Sequence, residues 1–473
     1  MVPATRLLSV LAVLAAALAA APTAHAARAL QLGFFDRVYS AAPAERDAWL
    51  DRTRAVGAGI VRIDIGWPAP QTVTRPAGFD ARNPSDPRYD FRRADAAIVA
   101  ARERGLKVLA SFTGAPPWVD GPGRPAGVTP GTWNPSAQAL QDYGAALARR
   151  YSGRFPDPAR PGQSLPKVQA FQVWNEPNLS KYLNPQWNGR SAASPALYRR
   201  MLNGFSRGVR SVSSTPTVVT AGTAPFGDTQ VGGNRMQPAR FWREVLCLRR
   251  SRGVLRRSRC PVRARFDVLA HHPYSVGRPR RKALNADDVS IPDVRKLTTL
   301  LRASERFRRV LPRMRHAMWV TEVSYDSSPP DPDGVPEATH ARWLQESFYL
   351  LSRQGVTTIT WFQIRDQPAG ASFAASNQSG VFFADGRPKL AATAFRFPFV
   401  AEPAGRKRLR VWGRSPVGGR MTIERRTASG WRRLRTVRVR RGATFLLRVG
   451  RVASAHSLRA RVKNEKSLSW RVR

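Results

Sequence analysis

Short hydrophobic runs alternate along this chain with longer segments whose apolar residues recur at helical spacing. The runs Leu30–Phe35, Gly59–Trp67, Lys107–Thr113, Val168–Trp174, Pro216–Thr223, Phe266–Ala270, Ala317–Val323 and Val356–Ile364 read as strands. The segments Pro43–Val56, Phe91–Arg104, Ser136–Tyr151, Pro195–Val212, Arg240–Leu248, Pro292–Arg308, Pro336–Gln354 and Pro388–Phe397 read as the helices between them. Strands alternating with helices predict an α/β fold with a parallel sheet, and eight strands is the number that closes a (β/α)8 TIM barrel. After Val400 the helical period disappears. Alternating runs such as RLRVWGR, RMTIERR, LRTVRVR and TFLLRVG, separated by Gly and Ser turns, predict a small antiparallel β domain.

The first residues read as an address. Arg6, an apolar run Leu7–Ala21 and Ala24-His25-Ala26 have the form of a secretory leader with its cleavage site, so residues 1–26 are set apart from the fold. An uncleaved anchor is the alternative, but the run is short of the ~20 residues a spanning helix needs. The expected organisation is a signal peptide at 1–26, a barrel at 27–400 and a basic β domain at 401–473, in a secreted, extracellular protein. Only Cys247 and Cys260 are present. In an exported chain these are expected to form a disulfide, worth on the order of 3 kcal/mol; the alternative is two free thiols. No cysteine or histidine spacing suggests a metal site, and no cofactor is implied.

The chain of 473 residues carries a net charge of +46. Such charge draws polyanions, yet arginine abundance alongside Ala and Pro is also a compositional bias, so no specific nucleic-acid partner is inferred. The tail is the most basic part: residues 401–473 hold 22 Lys and Arg against 3 Asp and Glu. It reads either as a solvated face or as a surface for an anionic cell-wall polymer.

Chemistry concentrates at the strand ends. VQAFQVWNEPN ends a β-prone run abruptly in Asn175, Glu176 and Pro177, and AMWVTEV carries Glu322. In a closed barrel these ends gather at one mouth, where two carboxyls can cleave a glycosidic bond. A helix-capping role is the plainer reading of Glu176. At the ~5–5.5 Å separation of a retaining pair, two charges repel by ~3 kcal/mol at an effective dielectric near 20. That is about two pKa units, enough to keep one protonated while its partner is ionised.

W-N-E-P-N at Trp174–Asn178, H-x-Y at His272–Tyr274 and the strand-end Glu322 together resemble glycoside hydrolase clan A. The resemblance covers the barrel, not the tail. It implies a retaining O-glycosyl hydrolase, with Glu176 as general acid/base and Glu322 as nucleophile. It further implies that Asn175 meets the sugar 2-hydroxyl, that His272 and Tyr274 line the site and hold the nucleophile, that Arg62 supports the nucleophile, and that Trp361 forms the aromatic floor of the sugar subsite. Arg62 could instead be a core arginine, Trp361 barrel packing, and His271 a buried structural residue. The sequence resembles the xylosidase/iduronidase and endoglucanase/mannanase families equally, leaving exo and endo action open. An oligo- or polysaccharide substrate is implied; a carbohydrate-binding barrel without turnover is the alternative.

Overall fold

The computed structural model describes residues 25–26, 30–370, 372–450 and 457–472. The leader read into residues 1–26 lies, apart from the pair His25–Ala26, outside the described residues. Eight strands, β1 (Gln31–Phe35), β2 (Ile60–Asp64), β3 (Lys107–Phe112), β4 (Ala170–Val173), β5 (Thr217–Thr220), β6 (Val268–His271), β7 (Ala317–Val320) and β8 (Val356–Phe362), form a closed barrel. All pair in parallel in chain order, and β8 returns to β1. The helices are α1 (Pro43–Ala55), α2 (Arg92–Glu103), α3 (Ala137–Arg150), α4 (Ser194–Arg210), α5 (Pro238–Val245), α6 (Arg295–Arg306), α7 (Glu337–Arg353) and α8 (Leu390–Arg396). This is the TIM barrel that the alternation of segments predicts.

The strands read as unbroken apolar runs because both their faces are covered. Ile60, Leu109, Ala170, Val219, Val268 and Ala270 form a compact cluster inside the barrel. Outward-facing positions pack on the helices, as where Phe34 stacks on Phe395 of α8 with ring centroids 4.2 Å apart. Helices α3 and α4 touch backbone to backbone because α4 presents Gly204 and Gly208. A Cβ there would lie 2.1 Å from Ala137 O and 1.9 Å from Gln141 O. Above the apolar cluster the interior turns polar. Arg62, Ser111, Gln172 and Thr321 are all buried there.

One expected helix is shorter than its pattern suggested. Arg240–Leu248 was read as helical to its end, but α5 stops at Val245 and Leu248 opens a hairpin, Leu248–Ser251 against Val254–Arg257. Its turn, Arg252-Gly253, has φ of 49° and 77°, the left-handed pair that a tight hairpin requires. The Cys247–Cys260 disulfide is formed at its base.

The tail comprises β9 (Phe399–Pro403), β10 (Arg408–Arg414), β11 (Gly419–Thr427), β12 (Gly430–Val439), β13 (Thr444–Gly450) and β14 (Ser457–Val462). These build two antiparallel sheets, one containing β9, β10 and β13 and the other β11, β12 and β14. Buried Val411, Val437 and Leu447 adjoin the outward-facing Arg410, Arg438 and Arg448, so this charge faces water as the pattern predicts. The tail is tied to the barrel. Glu402 of β9 accepts from Arg280, from Arg353 and Tyr349 of α7, and from Arg410, while Trp412 packs on the Tyr349 ring at 5.6 Å. Arg342 of α7 lies 3.7 Å over Trp470. Among the described residues no helix is long and apolar enough to cross a membrane. Trp412 is fully buried, so Trp412→Ala is expected to lower the unfolding free energy by about 3 kcal/mol, measured by guanidinium unfolding.

Candidate active site

Past Val173 the chain leaves the β4 ladder through two residues in the left-handed region, Trp174 (φ 77°) and Glu176 (φ 36°). Each such residue costs on the order of 1–3 kcal/mol unless its surroundings hold it, and here they do. Trp174 Nε1 donates to Tyr182 O at 2.8 Å, and Glu176 N to Gly222 O at 3.0 Å. Asn178 clamps the next turn, donating to Ala224 O and Met236 O and accepting from Ala224 N. The W-N-E-P-N string is thus a bent strand end with its own supports, and it delivers Glu176 to the mouth. Gly222 is also required by packing, since a Cβ there would fall 2.0 Å from His272 Nε2.

Arg62, inward on β2, occupies the centre of the constellation. Its Nη1 donates to Glu322 Oε2 at 3.1 Å and to Thr321 O at 3.2 Å, its Nη2 to Asn175 Oδ1 at 3.2 Å, and its Nε to Ser111 Oγ at 3.1 Å. The guanidinium lies 4.1 Å over the Phe35 ring. Tyr274 Oη donates to the other oxygen of that carboxyl, Glu322 Oε1, at 2.7 Å. His272 Nδ1 stands 2.9 Å from Glu176 Oε1 and 3.9 Å from Glu322 Oε2, so the two carboxyls flank one imidazole nitrogen. Its Nε2 lies 3.1 Å from Thr321 Oγ1, which accepts from Gln172 Nε2 at 2.8 Å. Arg62 is 1% exposed at its side chain, whereas Glu176 and Glu322 keep 14% and 16%, the fraction open to the cleft.

Burial acts to raise the Glu322 carboxyl. Against it stand the positive charge of His272 in its protonated form, the charge of Arg62, and hydrogen bonds from Tyr274 and Arg62; together they hold it below the ordinary glutamate value. Tyr274 moves the other way: burial, then the Glu322 charge, push its phenol well above its usual range, so it remains a donor. Tyr182, bonded to Asn175, is pushed up to about 12 by burial and by the charges of Glu176 and Glu322. Asp64, where β2 opens into the mouth, is reached by solvent yet walled by protein, and that walling raises its carboxyl.

The structure brings Arg62, Asn175, Glu176, His272, Tyr274 and Glu322 together. It corrects two readings. Trp361 is not a sugar floor: it is fully buried, faces the helical layer against His340 and Phe348, and donates to Ser379 O. Strand parity gives the inward position to its neighbour Phe362, whose ring lies 5.4 Å from Phe35. His272 was expected to hold the nucleophile, but its nearest carboxyl is Glu176; Tyr274 and Arg62 hold Glu322. His271 is a buried structural residue, bonded to Thr223 Oγ1 and Val289 O, and burial lowers its imidazole to about 3.

Sequence reasoning missed Ser111, Gln172, Thr321, Tyr182, Phe35 and Phe362. For Ser111 and Gln172 the signal was present, a polar residue inside an apolar strand at inward parity. The loop tryptophans Trp118, Trp133 and Trp187 each spend their indole N–H on a loop carbonyl. Among the described residues no group of three or more His, Cys, Asp or Glu is placed to hold a metal ion.

The barrel and its tail define the class of fold: a TIM barrel with an appended β domain, the architecture of known glycoside hydrolases. Two solved structures share it. The chain superposes on a family 39 glycoside hydrolase from the gut symbiont Bacteroides cellulosilyticus WH2 with a TM-score of 0.54 at 16% identity, covering 90% of this chain and 81% of that one. It superposes on a glucosidase from Croceicoccus marinus with a TM-score of 0.50 at 13% identity, covering 92% and 98%. No protein-family model matches the sequence, and no curated protein matches it either. The shared property is the fold.

Because Glu322 lies below its unfolded value, its ionised form stabilises the fold above the ordinary glutamate range, and that contribution is lost as pH falls through the lowered value. Tyr274→Phe keeps the ring and removes one donor to the ionised form. The Glu322 carboxyl is then expected to titrate higher than in the parent, measured by carboxyl-carbon NMR.

Proposed function

We propose that this protein is an exported retaining glycoside hydrolase that cleaves O-glycosidic bonds of an oligo- or polysaccharide by double displacement. The observation that carries this reading is the asymmetry of the two carboxyls around His272 Nδ1. Glu322 meets Arg62 and Tyr274 and is kept ionised, as a nucleophile must be; Glu176 meets only the imidazole. Their facing oxygens are separated by no more than the sum of the two distances to that nitrogen. This bound is compatible with the ~5–5.5 Å separation of retaining pairs. The disulfide supports export, since such bonds persist in oxidising compartments.

The hydrogen-bond network supports one distribution of hydrogens around His272. Gln172 Nε2 donates to Thr321 Oγ1, which leaves the threonine proton for His272 Nε2; an Arg62 N–H faces the same nitrogen at 3.4 Å. Nε2 is therefore an acceptor, and Nδ1 carries the hydrogen donated to Glu176 Oε1. Glu176 Oε2 is then left to bear the catalytic proton. Glu176 protonates the departing oxygen while Glu322 attacks the anomeric carbon, forming a covalent glycosyl-enzyme. Water deprotonated by Glu176 releases the sugar with retained configuration.

A panel of nitrophenyl xylosides, glucosides, mannosides, galactosides, arabinosides and uronides tests this. Turnover of one sugar by the parent, with a loss of at least about a thousandfold in Glu322→Ala, is expected. Glu176→Gln should fail on alkyl glycosides yet retain much of its first-step rate on dinitrophenyl glycosides, whose leaving groups need no proton. Silence across the panel and on neutral and acidic polysaccharides would overturn the hydrolase reading in favour of a binding barrel.

A further inference from the structure

At the opposite end of the barrel from Glu176, the chain builds a surface with no part in the proposed chemistry. The disulfide hairpin follows α5 and precedes β6, and the segment 307–316 follows α6 and precedes β7, so both lie where strands begin. Three concavities of about 740, 930 and 590 Å³ adjoin there. The first two share Arg249 and Arg257 as a wall, and the second and third share Cys260, Pro261 and Arg309, making one continuous trough. Every charged residue lining it is an arginine.

Elsewhere in the molecule arginines are commonly spent on partners: Arg62 on Glu322, Arg150 on Asp95, Arg243 on Asp287, Arg280 on Glu346 and Glu402. Along the trough Arg210 pairs with Asp267, Arg207 donates to Gln141 and Arg309 to Ser258 O, but five others are not spent in this way. Among the described residues the side chains of Arg249, Arg256, Arg257, Arg259 and Arg308 form no hydrogen bond or ion pair, and all five are exposed. Like charges crowded into a concave wall repel one another and focus a positive potential. In the tail Arg459 and Arg461 pair with Glu424 and Arg410 with Glu402, while Arg432, Arg433 and Arg438 stand exposed along the single strand β12 and line none of these concavities.

We propose that this trough is a docking site for a single-chain anionic polysaccharide, separate from the cleavage site. Its continuity calls for a linear polymer rather than one small anion. Guanidinium forks match carboxylate, sulfate and phosphate oxygens alike. The shape and lining disfavour nucleic acid. Concavities of this size do not admit a duplex, and the single aromatic residue in the lining, Phe307, is already covered by Arg306 at 4.8 Å, so no free ring face awaits a base. The hairpin turn and the disulfide hold the arginines in place, with Leu248 and Leu255 seated on the core.

The test uses the full chain and polygalacturonate, with dextran as the uncharged control. The parent is expected to bind polygalacturonate, more weakly as sodium chloride rises, and to ignore dextran. Arg249→Gln, Arg257→Gln and Arg308→Gln together should weaken binding at least about tenfold and flatten the salt dependence. The same charge removed from the tail, as Arg432→Gln, Arg433→Gln and Arg438→Gln, should leave affinity within about twofold. Thermal unfolding of both triple variants verifies that each is folded. Equal weakening by the two variants, unchanged binding in the trough variant, or tighter binding of a charge-matched DNA duplex than of polygalacturonate would each overturn the proposal.

Discussion

A guanidinium buried at the centre of a barrel is the constraint on which this site depends. Stripping Arg62 of water is tolerable only if its donors are matched, because an unpaired buried charge is among the costliest defects a fold can carry. The matching groups arrive from separate strands: Ser111 on β3, Asn175 after β4, Thr321 and Glu322 after β7, with the Phe35 ring of β1 beneath. No local segment could assemble them. Closure of the barrel brings them into register, and the charge at the centre helps to hold the Glu322 carboxyl below its ordinary value. Stability and chemistry are therefore joined in one cluster.

The same economy explains why His272 sits where it does. Gly222 leaves room for the ring, Thr321 and Arg62 face one nitrogen, and Glu176 faces the other. Each neighbour removes one way in which the imidazole could carry its hydrogen. A strained strand end supplies the remaining direction, since the left-handed Trp174 and Glu176 turn the carboxyl into the mouth. Strain is supported here because the next residues are clamped by side-chain hydrogen bonds rather than left as a free loop.

Much of this is legible in the chain itself. Period and punctuation disclose the eight strands and the change to a β tail, and the strand-end placement of Glu176 and Glu322 follows from a barrel's geometry. What stays hidden is parity. Whether Trp361 or Phe362 faces inward is a one-residue question that a strand such as VTTITWF, with Thr at both parities and bulky rings at adjacent positions, does not answer. Hidden, too, are partners that only closure supplies, such as the Thr321 hydroxyl against His272. The arginine hairpin shows the reverse case: in the sequence its charge is one part of a general bias, and only the fold reveals that arginines without acids are gathered along one trough.

The central claim is that Glu322, set by Arg62 and Tyr274, attacks the anomeric carbon while Glu176 handles the proton. Its most direct measurement is labelling with a panel of activated 2-deoxy-2-fluoro glycosides, which form the covalent intermediate but resist its hydrolysis, followed by peptide mass mapping. The account expects one adduct, one fluorosugar in mass, on the peptide carrying Glu322. An adduct on Glu176, or turnover of the matching aryl glycoside with no adduct and inverted configuration, would contradict it.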